Sequence, residues 1–460
     1  MNSARFAAIV LAAGKGTRMK SDLPKVMHRL ANRPLVRHVL DAVSPLEPAR
    51  TIVVLAPGMD SVAKAAAPAL VAEQPQALGT GNAALAGCPA LDDLIGSGGI
   101  EDVLVLFGDT PLLTTATLRA LLTERRRAPA AAVVVLGMRP ADPAEYGRLI
   151  CGPDGMLETI VEAKDATAAQ RRIDLCNSGV MAIDARHLRS LLEAIGTNNA
   201  KGEYYLTDIV GLARGRKLAC RVVEAPADEL AGINSRADLA AAEAIMQQRL
   251  RASVMAGGAT LVDPGSVFLS ADTRIGRDVT IEPFVTFGPD VVVEDRVEIR
   301  SFCHIAGAHI KSGAIIGPFA RLRPGAEIGE DAHIGNFVEI KQATIGRGAK
   351  ANHLSYIGDA EVGARANVGA GTITCNYDGF FKELTRIGED AFIGSNTVLV
   401  APVSVGAGAY IGAGSAIVRD VPADALSIGR GQQVDKPGRA AAIRKLKAAQ
   451  KLARQKKGES

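Results

Sequence analysis

Residues 310–340 read Ile310-Lys-Ser-Gly-Ala-Ile-Ile316-Gly-Pro-Phe-Ala-Arg-Leu322-Arg-Pro-Gly-Ala-Glu-Ile328-Gly-Glu-Asp-Ala-His-Ile334-Gly-Asn-Phe-Val-Glu-Ile340, with an aliphatic residue at every sixth position. The beat begins upstream at Ile275, Ile281, Phe287, Val293, Ile299 and Ile305, then slips by one residue to Ile310. Two more slips lead to Ile345, Ala351 and Ile357, and to Val362 and Val368; after an interruption, Ile387, Ile393, Leu399, Val405, Ile411 and Ile417 complete the run. A period of six fits neither the 3.6 of a helix nor the 2 of a simple strand. It suits a prism whose flat sides are short strands, each turning its lead aliphatic inward. Glycines that follow the leads, such as Gly317 and Gly335, are expected at corners where a side chain would crowd the turn. The stretch from about Ile275 to Pro422 is therefore read as a parallel β-helix.

A chain of 460 residues is too long for one ordinary core, so two or three domains are expected. With 48% hydrophobic and 22% charged residues the composition is that of a soluble globular protein. The net charge of +4 has its visible source in Arg439 to Lys457, read as a solvated end because no aromatic residues interleave with the bases to suit nucleic acid. The apolar run Phe6 to Ala13 leads straight into a glycine-rich loop, which is not the layout of a signal peptide, and no apolar run spans a bilayer. The six cysteines are scattered with no CxxC pair, which points to reduced thiols in the cytoplasm and to neither a zinc site nor a disulfide framework.

Residues 1 to about 235 alternate apolar β-branched runs with helical patterns, the mark of an α/β domain on a mostly parallel sheet. Arg5 to Ala12, Thr51 to Leu55, Asp102 to Phe107 and Ala132 to Leu136 are expected strands, and Pro34 to Val43 an expected helix with Asn32 as its N-cap. Ligands gather beyond the carboxyl ends of such strands. The loop Leu11-Ala-Ala-Gly-Lys-Gly-Thr-Arg-Met19, followed by Leu23-Pro-Lys25, lies there; its glycines admit close backbone approach, and Lys15, Arg18 and Lys25 bring positive charge suited to a polyphosphate. The strand Val103-Leu-Val-Leu-Phe-Gly-Asp109 delivers a carboxylate to the same edge. Such an Asp commonly starts a turn, yet facing a triphosphate it is what Mg²⁺ needs. Gln74 and Leu78-Gly-Thr-Gly81 supply donors for a base or sugar.

In this order the loop, the Leu-Pro-Lys, the Gly-Thr and the Phe-Gly-Asp resemble the sugar-1-phosphate nucleotidylyltransferase family. Glu145-Tyr-Gly-Arg148, Val161-Glu-Ala-Lys-Asp165, Asn177-Ser-Gly179, Gly202-Glu-Tyr-Tyr-Leu-Thr-Asp208 and Gly232-Ile-Asn234 extend the match. The spelling of the first loop is most similar to the bacterial family of bifunctional N-acetylglucosamine-1-phosphate uridylyltransferases/glucosamine-1-phosphate acetyltransferases. The resemblance covers nearly the whole chain. It implies a Rossmann-like nucleotidylyltransferase domain over residues 1–234, a linker helix over 235–256, and a left-handed parallel β-helix with a basic tail over 257–460. Leu239, Met246, Leu250 and Val254 share a face of that helix, and Gly257-Gly258 stops it.

By the resemblance, UTP is held by Leu11, Ala12, Ala13, Gly14, Lys25, Gln74, Gly79 and Thr80, the acetylated sugar by Gly147, Glu162 and Asn177, and Mg²⁺ by Asp109 and Asn234. Arg18 is the candidate for stabilising the transition state of uridylyl transfer. Phe107 stands where the family usually has Tyr, so a hydroxyl contact is missing, and Ser235 replaces the second Asn of the common Asn-Asn.

Inside the β-helix, function is sought where the beat fails. The interruption Thr374 to Arg386 reads as a loop thrown from a corner, and His353 sits in a rung with the weak lead Ala351, carrying the side chain best suited to accept a proton near neutral pH. The resemblance makes His353 the base of acetyl transfer. It assigns Arg323, Lys341, Tyr356, Asn367 and Lys382 to glucosamine-1-phosphate, and Ala370, Asn376, Tyr377, Ser395, Ala413 and Arg430 to acetyl-CoA. The remaining histidines (His28, His38, His187, His304, His309 and His333) are read as structural.

The resulting expectation is an enzyme of UDP-N-acetylglucosamine synthesis that works in the cytoplasm as a homotrimer, without nucleic acid. It acetylates glucosamine-1-phosphate with acetyl-CoA, then transfers UMP from UTP to N-acetylglucosamine-1-phosphate and releases pyrophosphate. The alternatives are a single-activity nucleotidylyltransferase with a regulatory or oligomerising β-helix, and a non-catalytic sugar-nucleotide scaffold.

Overall fold

The computed structural model describes residues 5–14, 16–143 and 146–456. The chain divides into two compact units: one runs to Thr273 and includes Phe287–Pro289, the other comprises Arg274–Thr286 and Asp290 onward.

The first unit is built on seven strands, β1 (Phe6–Leu11), β2 (Arg50–Leu55), β3 (Leu70–Glu73), β4 (Asp102–Phe107), β5 (Val133–Met138), β6 (Cys176–Asp184) and β7 (Cys220–Glu224), in the spatial order β7-β5-β6-β4-β1-β2-β3. All neighbours are parallel except β6, which runs against both β4 and β5. β1 is buried along its whole length because helices cover both faces of the sheet: Ala7, Ile9 and Leu11 face one core, and Phe6, Ala8 and Val10 the other. From β1 the chain winds to β2 and β3 on one side and returns to β4 on the other. The carboxyl ends of β1 and β4, with Leu11 opposite Phe107, therefore flank a topological switch point.

The expected N-cap at Asn32 is not found. Ala31 and Asn32, with φ of 44° and 64°, form the two-residue turn of a hairpin pairing Arg29–Leu30 with Arg33–Pro34, and the helix Leu35–Val43 starts after Pro34 with no side-chain cap. The helix Arg236–Ala256 opens on a reciprocal cap. Ser235 accepts from the Asp238 N–H while the Asp238 carboxylate accepts from the Ser235 N–H, and Gly258, at φ 101°, follows its end. This helix packs within the first unit, where Leu239 and Met246 lie against Leu30, Leu35, Leu112 and Ile233. Its most buried polar group, Gln247, escaped the apolar pattern; it donates to the Leu269 carbonyl and accepts from the Leu269 N–H.

The second unit is a three-sided parallel β-helix of the hexapeptide type, left-handed in this class. Face A stacks Ile281, Ile299, Ile316, Ile334, Ala351, Val368, Ile393 and Ile411 in register. Face B stacks Ile275, Val293, Ile310, Ile328, Ile345, Val362, Ile387 and Val405. Face C stacks Ile305, Leu322, Ile340, Ile357, Thr374, Leu399 and Ile417. Every lead aliphatic from Ile281 to Ile417 is buried. A second inward position, two residues before each lead, holds small residues such as Ala314, Ala320, Ala332 and Ala349.

The irregularities of the beat share one edge. Ile305 to Ile310, Ile340 to Ile345 and Ile357 to Val362 are steps of five from face C to face B, and Thr374 to Ile387 is the step that carries the inserted loop. Of the glycines that follow the leads, Gly317 takes the left-handed φ of a corner, at 93°, and Gly335 does not. A Cβ on Gly335 would stand 2.0 Å from the Asn352 carbonyl oxygen of the next coil, so the constraint there is close approach of coils. Left-handed residues recur three after a lead, at Asp278, Arg296, Asp331 and Asp390 between B and A and at Phe284, Phe302, Phe319, Phe337 and Leu354 between A and C, and two after it at the five-residue steps, at Gly307, Gln342 and Asp359. The four phenylalanines stack with ring centroids 5.1, 4.8 and 5.1 Å apart.

Because Ile316 is wholly buried between coils, Ile316→Ala is expected to lower the stability of the β-helix by about 2–5 kcal/mol in urea unfolding. Truncation of the exposed Lys311 is expected to change it by no more than about 0.5 kcal/mol.

Candidate active sites

In the first unit a cavity of about 340 Å³ opens beyond β1 and β4, lined by Leu11, Ala12, Ala13, Gly14, Lys25, Gln74, Gly79, Thr80, Phe107 and Asp109. All the residues expected to hold UTP thus border one space. Lys15, expected to add charge there, and Glu145 of the quoted motif lie outside the described residues. Gly16, at φ 62°, is required because a Cβ would stand 2.5 Å from the Lys25 Cβ. Gly79, at φ 116°, lies against Tyr204, and Thr80 accepts from the Leu206 N–H at 3.0 Å, so this wall is braced from the far side. Gln74 is buried and spends its amide N–H groups on Gly79 O and Asn82 Oδ1, at 3.1 and 2.9 Å. Its carbonyl oxygen is left as an acceptor.

A second cavity of about 510 Å³ adjoins it, lined by Arg18, Phe107, Tyr146, Glu162, Lys164, Lys201, Tyr205 and Asn234. Phe107 borders both. Of the expected sugar residues Glu162 lines it, whereas Gly147 and Asn177 do not: the Asn177 backbone N–H donates to Gly147 O at 2.8 Å, and a Cβ on Gly147 would lie 3.6 Å from Glu162 Oε1. Burial pushes the Glu162 carboxyl above the usual range, opposed by the Thr207 hydroxyl, which donates to it at 3.2 Å.

Asp109 and Asn234 meet because the Ile233 N–H donates to Asp109 O at 2.9 Å. Lys25 Nζ pairs with Asp109 Oδ2 and donates to Asn234 Oδ1 at 3.1 Å, and Arg18 Nη2 donates to the same Asn234 oxygen at 3.1 Å. One carboxylate and one amide oxygen suit Mg²⁺, which keeps waters and phosphate oxygens in its remaining positions. A cage of three or more His, Cys, Asp or Glu is absent among the described residues.

In the second unit, Arg323, Lys341 and Gly358 lie one above another on face C, as do Arg321, Glu339 and Tyr356. A Cβ on Gly358 would stand 2.5 Å from the Tyr356 hydroxyl oxygen, so that hydroxyl leans toward the cationic column. Lys382 of the inserted loop sits beside Lys341; this neighbour first, and Arg323 after it, depresses the Lys341 pKa. Three cations on an exposed face describe an anion site. Glu339 accepts from Arg323 at 2.8 Å and from Arg321 at 3.4 Å, a brace that the motifs did not single out.

His353 lies at the corner between faces A and C, with Nδ1 2.5 Å from Asn336 Oδ1 of the preceding coil. The amide oxygen can only accept, so Nδ1 carries the proton and Nε2 is left to take one. Asn336 was missed from sequence; the available signal was its place one coil, seventeen residues, before the histidine. Ala370, Ser395 and Ala413 continue the same column, each two residues after a face A lead. Their N–H groups have no acceptor among the described residues, whereas Pro283 and Pro318 in the upper coils have no N–H and Ser301 donates its own to Glu282 at 2.9 Å. Below His353 the inward hydroxyls of Ser355, Thr372, Thr397 and Ser415 bond corner carbonyls, Thr372 to Gly369 at 2.7 Å and Thr397 to Gly394 at 2.6 Å. Arg430 donates to Ala413 O. Asn376, which donates to Asp359, and Tyr377, which donates to Gly379 O at 2.5 Å, lie at the opposite edge of face C. Asn367 lies on face A, in register with Lys350 and Phe392.

The raised Glu162 pKa has a sign that can be tested. Ionisation at neutral pH costs folded-state stability, and the cost vanishes below the unfolded carboxyl's range. Glu162→Gln is expected to melt above the parent at about pH 8 and level with it near about pH 3; an equal offset at both would refute the assignment.

Comparison with known proteins matches residues 8–180 to the MobA-like NTP transferase domain, and residues 272–307, 307–342 and 384–419 to the bacterial transferase hexapeptide repeat. Full-length relatives called bifunctional protein GlmU include that of Rhodospirillum rubrum, 62% identical over 96% of this chain and 97% of the relative. That of Paramagnetospirillum magneticum is 58% identical over 98% and 99%, and that of Paracoccus denitrificans 52% identical over the whole of both.

Proposed function

The chain belongs to the GlmU family of bifunctional transferases, joining a uridylyltransferase to an acetyltransferase, and from that premise we propose how its residues divide the work. The second unit acetylates glucosamine-1-phosphate with acetyl-CoA, and the first transfers UMP from UTP to the resulting N-acetylglucosamine-1-phosphate, releasing pyrophosphate.

For acetyl transfer, Arg323, Lys341 and Lys382 clamp the sugar phosphate, with Tyr356 beside them. A bound phosphate relieves the mutual repulsion of Lys341 and Lys382 and fixes the orientation of the sugar. Nε2 of His353 takes a proton as the amine attacks the thioester carbonyl, and that proton leaves with the CoA sulfur when the C–S bond breaks. The free N–H groups of Ala370, Ser395 and Ala413 offer donors along the acetyl-CoA path, with Arg430 at its end. The observation that carries this half is the His353–Asn336 contact, which leaves Nε2 free to accept a proton.

Asn376 and Tyr377 lie across face C from this column, and Asn367 lies on face A. A second copy of the chain against face C would bring its own residues to complete the set, which supports a homotrimer through the β-helix.

For uridylyl transfer, Leu11 to Gly14, Lys25, Gln74, Gly79 and Thr80 hold UTP in the first cavity, and the sugar sits against Glu162 in the second, with Gly147 and Asn177 next to Glu162 completing its contacts. Mg²⁺ on Asp109 and Asn234 would neutralise phosphate charge as the sugar phosphate attacks the α-phosphorus. Arg18, within reach of Asn234, offsets charge developing on the transferred group. No helix among the described residues is long and apolar enough to cross a membrane, and all six cysteines are free; we place the reactions in the cytoplasm, where UTP and acetyl-CoA are supplied.

Purified protein given glucosamine-1-phosphate, acetyl-CoA, UTP and Mg²⁺ tests the division. Asp109→Ala is expected to lower uridylyl transfer at least about a hundredfold and spare acetylation, and His353→Ala to do the reverse. Loss of both activities together, or of neither, would overturn it.

A further inference from the structure

Both residues proposed for the metal are already engaged by cations of the chain itself. Lys25 Nζ pairs with Asp109 Oδ2 and donates to Asn234 Oδ1 at 3.1 Å, and Arg18 Nη2 donates to that same amide oxygen at 3.1 Å. The Lys25 and Asp109 side chains are only 14% and 15% exposed, so water screens the pair weakly. The lysine stem is held as well, since the Gly16 backbone lies where any Cβ would meet it at 2.5 Å.

The charge balance sets a condition on loading. One carboxylate faces an ammonium and a guanidinium, so the free site carries surplus positive charge. A divalent cation arriving alone must share Asp109 with the ammonium or displace it, and either way an under-neutralised ammonium stands beside a dication. A triphosphate removes that obstacle because its oxygens offer Nζ a new partner within the same cavity, which Lys25 and Asp109 both line. We infer that Lys25 is the resident counter-ion of the metal site, keeping Asp109 and Asn234 closed to a bare divalent cation and releasing them when a nucleoside triphosphate takes its ammonium. This rests on the proposed role of Asp109 and Asn234. Metal and nucleotide then bind with positive coupling, each tightening the other by the same factor.

Mn²⁺ binding to the full chain without nucleotide, followed by electron paramagnetic resonance, tests this apart from any activity. Lys25→Gln is expected to bind Mn²⁺ at least about tenfold tighter than the parent, while Lys25→Arg, which keeps the charge, stays within about threefold of it. Lys25→Met serves as a second uncharged variant should the first fail to fold, as judged by circular dichroism. Equal binding by parent and uncharged variants, or no measurable binding by either, would overturn the inference and leave the Asp109 assignment standing. In the Lys25→Gln/Asp109→Asn double variant the gain is expected to disappear; a gain that survived would place the ion elsewhere and overturn the Asp109 assignment together with the inference.

Discussion

Parallel pairing of strands is the constraint from which both sites follow. In a parallel ladder the carboxyl ends of neighbouring strands lie side by side, so whatever follows one strand meets whatever follows the next. In the first unit this brings the loop after Leu11 against the turn after Phe107, and with them Lys25 to Asp109. In the second unit each coil of about seventeen or eighteen residues returns the chain to the same face and corner. Asn336, His353, Ala370, Ser395 and Ala413 are far apart in the chain, yet they occupy one column because each stands two residues beyond a face A lead.

Close stacking of coils dictates what the corners can be. Where coils touch through backbone, as at Gly335, a methyl group has no room. Where the chain must turn left-handed, Asp, Gly and Arg serve between faces B and A, while between A and C the upper coils use phenylalanine, which is costly in that conformation. The ring stack offsets part of the cost. At His353 the edge changes character. Below it the corners narrow to Gly371, Asn396 and Gly414, the inward positions become hydroxyls that hold corner carbonyls, and N–H groups are left free on the outside. The bulky upper edge and the bare lower edge are thus one structural column with two chemistries.

Charge is arranged alike in the two units. Lys25 and Arg18 converge on one carboxylate and one amide oxygen, and Lys341, Lys382 and Arg323 crowd one another on face C. Both arrangements hold more positive charge than their neighbours neutralise, which suits phosphate-bearing ligands. Glu339 holds Arg323 in position, and Asp109 holds Lys25.

Much of this was legible in the residues alone. The six-residue beat identified the prism because its aliphatics must all point inward, and the glycine loop and strand-end Asp identified the nucleotide edge because strand direction places both there. The same periodicity, however, specifies an interior and says little about an exterior. Asn32 looked like a cap because Asn favours both caps and left-handed turns, and only the pairing of Leu30 with Arg33 decided between them. Asn336 and Glu339 carry no local pattern, since their partners lie a coil away. The sequence by itself determined which residues are buried and where strands end, because burial and chain direction are written locally as period and polarity. It took the folded chain to pair Lys25 with Asp109, to set His353 against Asn336, and to stand Asn376 across the face from Ala370. Those are contacts through space between residues whose separation along the chain is set by coil and crossover length and by nothing in their own identity.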